Sequence, residues 1–429
     1  MRRRPSKLAA LPEHVVATPA RLAAAVDHLA AAPVIGFDTE FVGEDSYRPE
    51  LCLVQVASSQ ALFVIDPFAC GPLDGFWEVM TDPRKVVVVH AGREDLRICQ
   101  FAAGKPPAMV FDVQVAAGLS GMSWPIGYAG LVSELLGHRM NKGETLTDWR
   151  RRPLAPAQLR YAFDDVRFLL PAHKKLTDRL TRADRLSWAE EEFAGFVAKA
   201  VTDDVTAERW RRVKGTGGFE PRGLAAVREL HAWRDGFAHR VNRPARMLMR
   251  DDVLAEIARR LPRSLDDLQN LRGLPRGEQD AILAAVSRAR ALAADELPEV
   301  EPRESDSPHV VLMANLLGVV LTDMCSRMKL ASNLVATTSD LKAVARSRAG
   351  RAELPDVSLT RGWRGRHILP ELLAVLDGQH ALRVVRPTSL APLAYLPVND
   401  PPPPDDAPEE PEEATDTVTE AESAPPAES

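Results

Sequence analysis

Residues 34–41, Val34-Ile35-Gly36-Phe37-Asp38-Thr39-Glu40-Phe41, form a run rich in β-branched and aromatic residues between Pro33 and Gly43. Such a run reads as a strand. Side chains two apart on a strand point to one face, so Asp38 and Glu40 present two carboxylates together. Neighbouring carboxylates repel unless a cation joins them, and a hard cation such as Mg²⁺ takes oxygen ligands. In isolation the pattern is weak, because a strand end with two acids is usually just solvated.

The surrounding sequence changes that reading. Further short apolar runs at residues 51–57, 62–65 and 85–90 predict strands, and three- and four-residue apolar spacing predicts helices over 72–80, 93–103, 128–136 and 156–180. This order predicts an α/β domain over residues 1–204, its central sheet covered by helices. Asp95 falls in the first turn of a helix that follows a strand end, a natural rim for a site. Tyr161 and Asp165 are four apart on a predicted helix and share a face. Asp164 is turned about 100° from Asp165 and is assigned to the solvated side. His90, closing a strand, is expected to be a hydrogen-bonded framework residue, while Gln55 is left open between the site and a helix contact.

The segments Phe37-Asp38-Thr39-Glu40-Phe41, His90-Ala91-Gly92-Arg93-Glu94-Asp95-Leu96 and Tyr161-Ala162-Phe163-Asp164-Asp165 resemble, in this order, the three exonuclease motifs of the DEDD superfamily in its tyrosine branch. Within it the likeness is to ribonuclease D. It is extended by Asn141-Lys142-Gly143, Thr147-Asp148-Trp149, Arg152-Pro153-Leu154 and Leu169-Leu170-Pro171. The resemblance implies a ribonuclease H-like α/β exonuclease domain with a mixed central sheet. It implies that Asp38, Glu40 and Asp165 bind a catalytic metal, with Asp38 bridging to a second ion that Asp95 holds largely through water. The cofactors would be two Mg²⁺ or Mn²⁺ ions, roughly 3.5–4 Å apart in the two-metal template, releasing nucleoside 5′-monophosphates from 3′ ends. Tyr161 would orient the attacking water; an ordinary phenol pKa of about 10 suits a positioner better than a full base. Lys142, Arg150, Arg151 and Arg152 stand open between phosphate contact and a solvated basic loop.

Beyond residue 205 strand signals vanish. Residues 205–291 resemble an HRDC domain, through residues 224–235, Asn242-Arg243-Pro244, Asp251-Asp252-Val253-Leu254, Ile257-Ala258, Pro262 and residues 268–274. Arg222, Arg228, Arg234, Arg240, Arg243, Arg246 and Arg250 make this block basic, as an RNA-backbone surface would be. Residues 292–308 read as a linker. Residues 309–386, with helical pattern to about residue 382, resemble a second, divergent HRDC-like domain through residues 331–336, Asp340-Leu341 and Gly362-Trp363-Arg364. Both modules are expected to be all-α. Residues 387–429 are expected to be a Pro-punctuated, acidic, disordered tail.

That tail masks the charge of the rest. From Asp400 onward there are eleven carboxylates and no Lys or Arg, so the net −6 of the 429 residues becomes +5 without them. A mildly basic body keeps a nucleic-acid partner open. The four cysteines, Cys52, Cys70, Cys99 and Cys325, form no CxxC pair, which argues against a zinc or redox centre. The basic start Arg2-Arg3-Arg4 is not followed by an apolar signal core, and the longest apolar stretch, residues 310–321, is interrupted by Asn315. The expectation is a cytoplasmic protein without membrane contact, acting on single-stranded RNA 3′ ends, tRNA precursors among them. A 3′→5′ DNA exonuclease is the nearest alternative, because carboxylates do not sense the 2′-OH. A non-catalytic RNA-binding scaffold is the second.

Overall fold

The computed structural model describes residues 11–140, 147–202, 208–269, 271–300 and 306–398. Six strands form one mixed sheet: β1 (Glu13–Val16), β2 (Val34–Val42), β3 (Glu50–Ala57), β4 (Leu62–Ile65), β5 (Val86–Val89) and β6 (Met109–Asp112), in the order β1-β4-β3-β2-β5-β6. β2 runs antiparallel to β3 and parallel to β5, so the strand carrying Asp38 and Glu40 lies near the middle.

Alternation along β2 divides the chain's two faces. Ile35 and Phe37 join Val54, Val56, Val87 and Val89 in a core closed by helices Pro19–Ala30, Asp74–Met80 and Arg93–Ala103. Leu53, Ala57, Val64 and Val88 join the opposite core, closed by helices Val113–Leu119, Tyr128–Leu136, Pro156–Arg167 and Leu169–Arg182. Gly36 lets the last of these approach closely: a Cβ there would meet both Ala57 and Leu169 Cβ at 3.2 Å.

The helix expected over 156–180 is two helices, broken at Phe168. Pro171 has no N–H for the Arg167 carbonyl, and its ring opposes that turn. The break redirects the second helix over β2. Strands β1 and β6, four residues each, were not anticipated, because such short runs carry little periodicity.

Helices Pro221–Val241, Asp251–Arg260 and Gln279–Ala291 enclose their own core, centred on Leu230, Leu254, Ile257, Ile282 and Val286. This HRDC-like module touches the nuclease domain at the β2–β3 loop: Tyr47 Oη donates to Asp235 at 2.8 Å, and Arg48 lies 3.1 Å from His239 Nε2. The C-terminal module differs, because its core is continuous with that of the nuclease domain. Trp188 stacks on Trp363 at 4.6 Å and 8°, and Glu192 accepts from Trp363 Nε1 and pairs with Arg364.

The C-terminal module is also not all-α. His380–Val384 (β7) and Leu393–Pro397 (β8) form an antiparallel hairpin, so the boundary expected at 387 cuts through ordered chain, and helical structure ends at Leu376, short of 382. Asp323 anchors the hairpin: it is almost fully buried, accepts from Leu393 N at 2.9 Å and Tyr395 Oη at 2.8 Å, and pairs with Arg327 at 2.7 Å. The Pro punctuation that opened the expected tail, at Pro387 and Pro392, belongs instead to the hairpin's connection, residues 385–392. The acidic residues 399–429 lie outside the described residues, as do 301–305 of the expected linker. Helix Pro308–Met328, which holds Asp323, is 21 residues long and contains an 18-residue window of mean hydropathy 1.6, enough by length and composition to cross a membrane. In this fold it packs by Val310, Ala314, Leu317, Val320 and Leu321 into the module's core.

Candidate active site

Three carboxylates converge where β2 meets helix Pro156–Arg167. Asp38 and Glu40 leave β2 on one face, and a bulge between Glu40 and Phe41 bends the strand just past them. Asp165 comes from the helix, whose start is set by Pro156 and by Gln158 accepting from Ala155 N at 2.8 Å. One oxygen from each of Asp38, Glu40 and Asp165 lies within 4.8 Å of the other two. Asp165 Oδ2 is buried with no hydrogen-bond partner.

Asp95 stands outside this group. Helix Arg93–Ala103 brings it from the opposite face of the sheet, where Thr39 Oγ1 donates to it at 2.5 Å. Its helix begins tightly against β5: a Cβ on Gly92 would meet Val89 at 2.5 Å. The fully buried Asp112 secures that turn, accepting from Gly92 N at 3.3 Å and from Gln114 N at 2.7 Å.

Burial drives the electrostatics. It lifts Asp38 well above the usual carboxylate range, with repulsion from Asp95, Asp165 and Glu40 adding to it. Glu40 rises to about 7 through burial and then Asp95. Asp165 rises to about 8 through burial, then Glu40 and Asp164, and Asp95 to about 6 through burial, opposed by the Thr39 hydrogen bond. Carboxylates strained in this way, around an unpaired buried oxygen, fit a divalent cation, which would both neutralise them and supply the missing partner.

Tyr161 is half-buried on the same helix face as Asp165, near the Trp149 ring at 5.9 Å. Burial, then Asp165, Glu40 and Asp38, raise its pKa, so it remains a neutral hydroxyl. Asp164 points elsewhere, bonding Arg167 at 2.8 Å, which also reaches Glu13 at 2.6 Å. His90 Nε2 lies 2.9 Å from the Ile126 carbonyl, a framework contact.

The basic candidates separate. Arg152, left open between phosphate contact and a solvated loop, is instead committed to the framework, bonding Asp66 at 2.5 and 2.9 Å and the Cys52 and Trp149 carbonyls. Arg150 pairs with Asp148 at 2.9 Å and Asp45 at 3.6 Å, and Arg151 is 84% exposed. Arg243 is exposed. Lys142 lies outside the described residues. Within the HRDC-like module, Arg222 caps the Ala289, Arg290 and Leu292 carbonyls and the buried Arg234 bonds Met249 O and Asp251. Neither is a free surface cation.

Sequence reasoning missed Thr39, Asp112 and Tyr128. Tyr128 Oη is buried without a partner, and burial and then Asp165 raise its pKa. A lone Thr, Asp or Tyr carries no spacing signal, and only the fold brings these three to the cluster.

A 3′-5′ exonuclease family model matches residues 14–181, and an HRDC domain model matches residues 223–287. Fold and acidic cluster together therefore define a 3′→5′ exonuclease with an HRDC module. Ribonuclease D of Gluconacetobacter diazotrophicus is 37% identical over 82% of this chain and 90% of its own length. Ribonuclease D of Acidiphilium cryptum is also 37% identical, over 82% of this chain and 89% of its own. The chain belongs to the ribonuclease D family and is a 3′→5′ exoribonuclease. The crystal structure of Escherichia coli RNase D, described as an exoribonuclease involved in structured RNA processing, superposes with a TM-score of 0.75 at 28% identity. The match covers 86% of this chain and 99% of that one. Divalent metal use follows from the family, and the structure gathers Asp38, Glu40 and Asp165 into an acidic cluster with oxygens close enough together to hold an ion.

Proposed function

We propose that this chain removes nucleotides one at a time from single-stranded RNA 3′ ends in the cytoplasm, tRNA precursors among its substrates, by two-metal hydrolysis that releases nucleoside 5′-monophosphates. The observation that carries the reading is the convergence of Asp38, Glu40 and Asp165 around an unpartnered Asp165 oxygen, with Tyr161 on the same helix face. Asp38, Glu40 and Asp165 would hold one ion, and Asp38 with the more remote Asp95 a second. When bound, Mg²⁺ or Mn²⁺ ions supply Lewis acidity that favours ionisation of the attacking water and neutralises charge gathering on the phosphate.

The chain's own groups do the rest. Tyr161 offers a neutral hydroxyl that hydrogen-bonds and orients the water, since its pKa is raised too far for it to take the proton outright. The site lies at the end of β2, next to the β2–β3 loop that meets the HRDC-like module. Arg151, which lies 3.7 Å from Asp148, and Arg243 are exposed cations, and these would meet the phosphate backbone. Digestion of 5′-labelled RNA with and without chelator tests direction, metal dependence and product together. Stepwise shortening with release of 5′-monophosphates, abolished by chelator and by Asp38→Asn or Asp165→Asn, is the expected result. A matched DNA oligonucleotide in parallel tests the choice of RNA; equal rates on both would overturn it.

A further inference from the structure

Gln55 is fully buried in β3, and neither its amide nitrogen nor its amide oxygen has a hydrogen-bond partner. An amide left in this state costs on the order of 1–3 kcal/mol by mutational measure, so native folds seldom keep one without a use. Its register shows where it points. Gln55 lies directly opposite Asp38 in the antiparallel β2–β3 pair, and opposed residues place their side chains on one face, about 4.5–5.5 Å apart at Cβ. On its other side it faces Val64 of β4. Leu53 and Ala57, two residues either way along β3, are apolar, as are Phe163 and Val166 of the helix above. Of the two residues in register with it, Asp38 is the polar one.

We propose that Gln55 is a positioning residue for the metal cluster: once ions are bound, its amide N–H donates to Asp38, directly or through one water, and fixes the carboxylate that two ions would share. The proposal rests on the metal-dependent reading above. Without metal the Gln55 amide has no hydrogen-bond partner; a carboxylate held in place by a cation would be a charged, oriented acceptor for it. The same amide is a burden to the empty fold and an asset to the loaded one. No residue with a purely structural role has that signature.

Gln55→Met and Gln55→Leu, measured in the full chain, separate the two roles. Each replaces the unpaired amide with an apolar side chain of similar volume. Thermal denaturation in chelator reads the empty fold, and titration with MnCl₂ followed by calorimetry reads the cluster. The expected result is a melting temperature equal to or a few degrees above wild type in chelator, a Mn²⁺ dissociation constant weakened about 10-fold or more, and a fall in kcat with KM for the oligonucleotide unchanged. Mn²⁺ affinity within twofold of wild type would overturn the proposal. So would a melting temperature lowered in chelator, or failure of both variants to fold, because either shows the amide is needed without metal. If wild type itself binds no Mn²⁺, the metal-dependent reading fails first, and the proposal with it.

Discussion

Thr39 donates its hydroxyl to Asp95 at 2.5 Å, joining the strand that carries Asp38 and Glu40 to the helix on the far side of the sheet. The bond holds Asp95 close enough to act on the cluster electrostatically but outside the group of three oxygens. It also lowers the Asp95 pKa against burial. Thr39→Val keeps the shape and removes the donor. The Asp95 pKa should then rise above about 6, moving the acid limb of the rate-against-pH profile upward. Stability should fall by roughly 1.5–3 kcal/mol, the worth of a hydrogen bond to a charged group. An unmoved acid limb would show that Asp95 does not govern activity.

The raised carboxylate pKa values make metal binding and stability depend on pH. Folded Glu40, Asp95 and Asp165 sit at about 7, 6 and 8, above their unfolded values near 4. A raised folded pKa means the folded state binds protons more tightly, so their contribution is fully present below about pH 4 and is lost as pH climbs through 6 to 8. In chelator the melting temperature should therefore decline between pH 6 and 8.5. Mg²⁺ should restore more at pH 8.5 than at pH 6, and its binding should release protons, read by calorimetry in buffers of different ionisation enthalpy. A pH-independent effect of Mg²⁺ would place the metal elsewhere.

Arg152 and Arg243 should behave oppositely. Arg152→Ala leaves the mostly buried Asp66 without its partner and should cost about 3 kcal/mol in denaturant unfolding. Arg243→Ala, at an exposed position, should change stability by no more than about 0.5 kcal/mol. In the inactive Asp38→Asn background it should weaken RNA binding and reduce the salt dependence, lowering the log–log slope by about 0.7 for one lost phosphate contact to a single strand. Anisotropy titrations across a salt series read both effects.

The C-terminal module should be needed for nuclease stability. Trp363 is buried against Trp188, so Trp363→Ala should destabilise the chain by about 3–5 kcal/mol and loosen helix Leu186–Thr202. Tyr47→Phe, which removes one bond to the HRDC-like module, should cost no more than about 1.5 kcal/mol. Denaturant unfolding with hydrogen exchange on the 186–202 segment distinguishes them. Equal, small effects would show that both modules are peripheral.

The nuclease half was largely legible because its signals are local. Residues 34–42 are rich in β-branched and aromatic residues, and Asp38 with Glu40, or Tyr161 with Asp165, are pairs whose shared face follows from strand and helix periods alone. Where an element was misjudged, the cause was a local period overridden or too short: Pro171 divides one helix, and β1, β6, β7 and β8 span only four or five residues. The hairpin after residue 379 also needs Asp323, more than fifty residues away, to hold it.

The amino-acid order thus settled that Asp38 with Glu40, and Tyr161 with Asp165, share a face, because backbone period makes that a matter of counting; that the two pairs belong to one site was implied by the family resemblance. It did not settle that Asp95 reaches the cluster from behind the sheet through Thr39, that Arg152 is consumed by Asp66, or that Gln55 lies beside Asp38 with both ends of its amide unpaired. Those depend on strand register and on helices closing from two sides. Only then do distant residues compete for the same charges and the same space.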